Sequence, residues 1–98
     1  MTKRPRIWKG SGNIFLDIGF PPEEAQSLLL RAHLMFEVER CVKKSGLTQK
    51  EAAKRLGVTQ PRRNLLLKHK IELFSLEDLV SMVVRAGMQV ELTVKKAA

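Results

Sequence analysis

The sequence holds one cysteine, Cys41, so no internal disulfide can staple it, and nothing marks it for an oxidising compartment. The only other soft metal ligands are His33 and His69, at a spacing that matches no zinc pattern. There is no glycine-rich phosphate loop, no Ser/His/Asp set and no carboxylate pair arranged for a cleft, so neither catalysis nor a cofactor has residues to carry it. No stretch approaches the roughly 20 apolar residues that span a bilayer. The basic opening, MTKRPRIWKGSGN, lacks the apolar run of a secretory signal. These absences lead to the expectation of a non-enzymatic protein in the reducing cytoplasm.

Acidic residues are short as well: ten against eighteen lysines and arginines, a net charge of +8 on 98 residues. So large an excess directs the search for partners toward polyanions. The positions sharpen this. Lys3, Arg4, Arg6 and Lys9 fill the amino-terminal tail, while Lys50, Lys54, Arg55, Arg62, Arg63, Lys68 and Lys70 crowd one internal stretch. Clustering of that kind favours nucleic acid over bare solubility. Apolar residues make up 44% of the chain, enough for a single domain to fold without metal or disulfide.

Residues 1–12 read as a flexible basic tail and 13–98 as one domain. In NIFLDIGF, Ile14, Leu16, Ile18 and Phe20 alternate, which predicts a short strand or extended arm closed by Pro21-Pro22. A long helix is expected from Pro22 to Lys44, stopped at Ser45-Gly46. Its apolar positions change side along its length. Ala25, Leu28, Leu29, Ala32 and Phe36 form one stripe, and Leu34, Val38, Cys41 and Val42 form another. Short helices follow at 48–56 and 60–69. A fourth starts at Ser75, where Ser75 and Asp78 make a capping-box-like pair, and stops at Gly87. The closing MQVELTVKK alternates Met88, Val90, Leu92 and Val94, predicting a strand that pairs either with NIFLDIGF or with its own copy in a second chain. The fold class expected is mainly α, four to five helices around a helix-turn-helix, with a carboxy-terminal β-strand.

The helix-turn-helix lies in GLTQKEAAKRLGVTQPRRNLLL. Thr48 caps its first helix, with Glu51 three residues on to complete the box. Ala52 and Ala53 are small where a second helix must cross closely, and Leu56 and Val58 are apolar pins around the turn. Gly57 supplies the reversal at positive φ. Thr59 caps the second helix, and Pro61 falls in its first turn, where a missing N–H is harmless. Such a unit places the start of its second helix in the major groove of double-stranded DNA. The candidate base readers are Thr59, Gln60, Arg62, Asn64 and Lys68, because Gln and Asn match adenine and Arg matches guanine. Thr48 and Gln49, at the start of the first helix, are candidates for a phosphate; Lys50, with Lys54 and Lys70, is a candidate phosphate contact or solvated surface.

The stretch LTQKEAAKRLGVTQPR resembles the XRE/Cro-type helix-turn-helix, and the run on to KIELFSLEDLVSMVVRAGMQVELTV, with NIFLDIGF upstream, resembles the HigA-type antitoxin branch over about residues 13–95. The resemblance implies a lambda-repressor-like domain in a homodimer that binds a roughly palindromic operator. It also implies repression of an operon shared with a RelE/HigB-type ribonuclease toxin, and it carries Gln49, Thr59, Gln60, Arg62 and Asn64 onto DNA. Two alternatives stand beside it: a stand-alone or prophage repressor with no toxin, and a protein that mainly neutralises a toxin, with Trp8, Ile14, Phe15 and Phe20 as apolar anchors. The dimer contact falls either to residues 88–95 or to residues 25–36. Three residues depart from the family pattern. Arg63 occupies a position usually aliphatic and buried, and is expected to snorkel outward; Leu65 replaces a polar residue; His69 replaces a frequent glycine.

Overall fold

The computed structural model describes residues 12–96. The tail expected over 1–12 therefore lies, up to residue 11, outside the described residues, as does Trp8. Among the described residues five α-helices follow one another: α1 (Ile14–Asp17), α2 (Pro22–Ser45), α3 (Gln49–Leu56), α4 (Gln60–Leu67) and α5 (Leu76–Arg85), with a 3₁₀ turn at Ile71–Leu73 before the last.

The first segment is helical and not the strand its alternation suggests. Asn13 sits extended as an N-cap, and its side-chain oxygen accepts from the Phe15 and Leu16 amides at 3.0 and 3.2 Å. Its amide nitrogen donates to the Ala25 carbonyl at 3.2 Å, which ties the turn to α2. Gly19, at φ 112°, ends it. The four alternating apolar residues all stay exposed, while Phe15 is half-buried and meets the Phe20 ring edge-on at 6.2 Å. Local capping has displaced the period-two pattern.

Pro22 opens α2 where a proline costs no hydrogen bond. Glu23 and Glu24 lie in its first turn and Lys43 and Lys44 in its last, each complementing the helix dipole. Gly46 ends it in the left-handed region. The helix lies chiefly along α5 and against α1. Ala25, Leu28, Met35, Val38 and Val42 are buried, while Phe36, a member of the first apolar stripe, is 56% exposed. Ala25 and Leu28 of the first stripe turn inward, and farther along Met35 takes the inward place beside Phe36. Phe74, Leu66, Leu79 and Met82 fill the centre and are almost wholly buried.

The carboxy-terminal strand is absent: no β-strand occurs among the described residues, and residues 88–96 carry no regular structure. Leu92 and Val94 are 75% and 83% exposed. Alternation can decide which side of a strand faces inward, but a strand exists only within a ladder. With residues 14–17 coiled into α1, the segment expected to pair with it has gone.

Among the described residues, one charged residue is buried with the apolar ones. Glu39 is 7% exposed. Its Oε1 lies 2.9 Å from His69 Nε2, and Lys43 Nζ stands 3.3 Å from Oε2. His69 takes φ 59°, an unusual conformation for a residue with a side chain, and from there joins the end of α4 to the middle of α2. Burial pushes the Glu39 carboxyl up, but the hydrogen bonds and charges of His69 and Lys43 together outweigh it and hold the group below its ordinary value. A carboxylate so depressed contributes stability that is complete above the unfolded-chain pKa of about 4.3 and is lost as pH falls through the lower folded value. In urea unfolding, the stability difference between the wild type and Glu39→Gln is therefore expected to shrink from pH 7 to pH 3. A constant difference would show that Glu39 takes no part in acid unfolding.

Candidate nucleic-acid interface

The two eight-residue helices of the central unit are set by their caps. At α3 the Glu51 amide donates to Thr48 Oγ1 at 3.1 Å, and the Thr48 amide donates to Glu51 Oε1 at 2.9 Å, closing the capping box. Ala52 and Ala53 are buried where α4 and the core come close. Gly57 ends α3 at φ 74°, and Val58 N–H donates to the Ala53 carbonyl at 3.0 Å. A β-carbon at Gly57 would stand 2.6 Å from Arg85 Nε. That arginine could swing away, so the requirement for glycine comes from the backbone angle, at about 1 kcal/mol or more for any other residue. Thr59 then caps α4, its Oγ1 accepting from the Arg62 amide at 3.3 Å, with Pro61 in the first turn.

This geometry brings the amino-terminal ends of α3 and α4 side by side. Gln49 and Gln60 are the first residue of each helix, both exposed, and Gln60 Nε2 donates to Gln49 Oε1 at 3.1 Å. The bridge leaves an amide oxygen on Gln60 and N–H donors on both side chains, a combination that suits the edge of a base pair. Thr48, Lys50 and Thr59 are exposed beside this pair, and Lys68 is exposed at the far end of α4.

Two of the expected readers are engaged elsewhere. Arg62 Nη2 donates to the Leu73 carbonyl at 3.0 Å and to Asp78 Oδ2 at 3.1 Å, and its guanidinium lies 4.3 Å from the centre of the Phe74 ring. It clamps α4 to the start of α5. Asp78 is already the capping partner of Ser75, and the hydrogen bonds from the Ser75 backbone and hydroxyl, with Arg62 beside them, hold its carboxyl below the ordinary range. Asn64 is half-buried, and its Oδ1 accepts from Arg63 Nη1 at 3.0 Å. Arg63 is itself half-buried, and its Nε is buried with no partner among the described residues. Leu65 packs half-buried against the core and is not an exposed residue. The Arg62 clamp was not foreseeable from the motif: its acceptors lie 11 and 16 residues along the chain, beyond any local spacing rule.

A family model described as "Helix-turn-helix domain" matches residues 14–95. A solved chain described as an XRE-family transcriptional regulator is similar in structure, with a TM-score of 0.69 and 28% identity, over 76% of this chain and 83% of that one. No curated protein matches the sequence.

Arg62→Ala removes a surface ion pair worth up to about 1 kcal/mol and a cation–π contact worth about as much. It is expected to lower unfolding free energy by about 1–2 kcal/mol with no DNA present; no loss would mean the clamp is idle in solution. Arg63→Leu is expected to raise thermal stability, by about 1 kcal/mol, because it deletes a buried, unpartnered donor. A drop in melting temperature would show that Arg63 is better satisfied than this geometry allows.

Proposed function

The chain belongs to the helix-turn-helix domain family, whose model spans residues 14–95, and on that premise we propose that it is a sequence-specific repressor. The broad part of this reading, a DNA-binding transcriptional regulator of the XRE type, rests on the family match and on the structural likeness to an XRE-family regulator. The finer part is that it acts as a homodimer on a roughly palindromic operator, as the antitoxin of a type II toxin–antitoxin operon whose promoter it represses. The observation that carries the DNA reading is the hydrogen-bonded Gln49–Gln60 pair at the joined ends of α3 and α4. In the proposed complex these glutamines and Thr59 face the major groove, with Thr48, Lys50 and Lys68 on phosphates. Asn64 would join them once its bond to Arg63 is exchanged. Arg62 serves there as the clamp that holds α4 in place.

The antitoxin part is supported by sequence resemblance and by the apolar surface near the amino terminus. Ile14, Ile18, Phe20 and Phe36 are all exposed, a quantity of apolar surface in need of a cover. A RelE/HigB-type toxin is the proposed occupant.

Fluorescence anisotropy with the DNA upstream of its own gene tests the first part. If about six phosphates are neutralised, log K falls with log salt at a slope of roughly −5. Gln60→Ala is expected to lose about 1–3 kcal/mol of discrimination between operator and scrambled duplex while keeping most of that slope. A flat salt response, or a Gln60→Ala variant as selective as the wild type, would remove the case for this face.

A further inference from the structure

We propose that the groove between the carboxy-terminal parts of α2, α3 and α5 is a binding site for a small anionic amphiphile, an acyl chain ending in a carboxylate. Its floor is apolar: Val42 from α2, Ala52 and Leu56 from α3, and Ala86 just past α5. Its volume is about 370 Å³, at the lower end of the range for small-molecule pockets. A protein partner would need several hundred square ångströms of contact from each side, so a small ligand is the occupant that the dimensions favour.

The mouth of the groove decides the ligand's charge. Arg40, Lys44 and Arg55 stand around it with a single carboxylate, Glu37. Glu37 is already used, its Oε2 lying 3.3 Å from Arg40 Nη1. Lys44, on the α2 wall, and Arg55, on the α3 wall, have no ion pair or hydrogen bond from their side chains among the described residues. Cys41 directs its thiol to the Ala86 carbonyl at 3.6 Å, so it adds no polar group to the mouth. Two uncompensated cations above an apolar floor select an apolar tail with a negative head.

The chain's own carboxy-terminal segment suits the groove poorly. Beyond Met88 it carries Lys95 and Lys96 against Glu91, so its net charge has the sign of the rim. The site is also separate from the edge proposed to read DNA. Gln49 opens α3 and Arg55 comes six residues later, about 9 Å along the helix axis. The two nevertheless share one rigid element, because Ala52 and Leu56 in the floor belong to the helix that carries Gln49.

The test titrates sodium decanoate, below its micelle concentration, into the full-length protein without DNA and follows backbone amides by NMR. Saturable shifts confined to the region of Val42, Ala52, Leu56 and Ala86 are expected, with decyltrimethylammonium binding at least tenfold more weakly. The double variant Lys44→Glu/Arg55→Glu, checked as folded from its own spectrum, is expected to lose at least tenfold in decanoate affinity. Equal binding of the cationic amphiphile, undiminished binding by the double variant, shifts centred on Phe15 and Phe36, general loss of the folded spectrum, or no saturation would each overturn the proposal. Because the titration contains no DNA, its failure leaves the regulator reading intact, and loss of operator binding leaves this site intact.

Discussion

Helices of eight residues do not hold together alone in water, and the two at the centre of this protein, α3 and α4, are both of that length. Everything exposed on them depends on burying one side of each against something longer. Leu56 and Leu66 supply that side, and α2, α5 and the Phe74 ring between them supply the surface. The fold is in this sense a 24-residue beam and a 10-residue brace that make two unstable helices permanent. Each fully buried leucine or phenylalanine is worth about 2–3 kcal/mol, so these few central side chains outweigh any single cap or ion pair in the chain.

Polar contacts then fix orientation more than they add stability. Arg62 joins α4 to the start of α5, and Glu39 with His69 joins the end of α4 to α2. The two ties grip opposite ends of the same short helix. A helix packed only through Leu66 and Leu67 could rotate or slide to a neighbouring arrangement, and a tie at each end removes those alternatives. The left-handed angle at His69 belongs to the same device, since it points the imidazole toward the buried carboxylate.

Much of the central unit was legible in the sequence because its signals are local. Thr48 with Glu51, Gly57, Thr59 with Pro61, and Ser75 with Asp78 all act within three residues of themselves, and helix limits follow from them closely. What was misread depends on partners far along the chain. Residues 14–20 and 88–95 carry good period-two alternation, yet a strand needs a ladder, and Asn13 offered the first segment a helical cap instead. Phe36 shares a stripe with Ala25, Leu28, Leu29 and Ala32, but periodicity reports only that one side of a helix is apolar, and the neighbouring Met35 took the inward position. Glu39 carries no local sign of burial, and the histidine that makes it a buried member of the core stands 30 residues away. For the candidate site, residue types indicated a DNA-facing edge, while the real destination of Arg62 required the three-dimensional meeting of α4 and α5.

The bond between Gln49 and Gln60 has a consequence for how such a surface can change over evolutionary time. Two amides that share a hydrogen bond are not independent letters. Replacing either one frees the other to adopt a different rotamer, so the effect of a double change departs from the sum of the single ones. On the DNA-facing edge proposed above, a lineage that altered Gln60 alone would present a reoriented Gln49 as well, and a new preference for target would arise in a jump. In that proposed role the pair would make small drifts in recognition difficult and concerted switches easier, a form of epistasis built from one 3.1 Å contact.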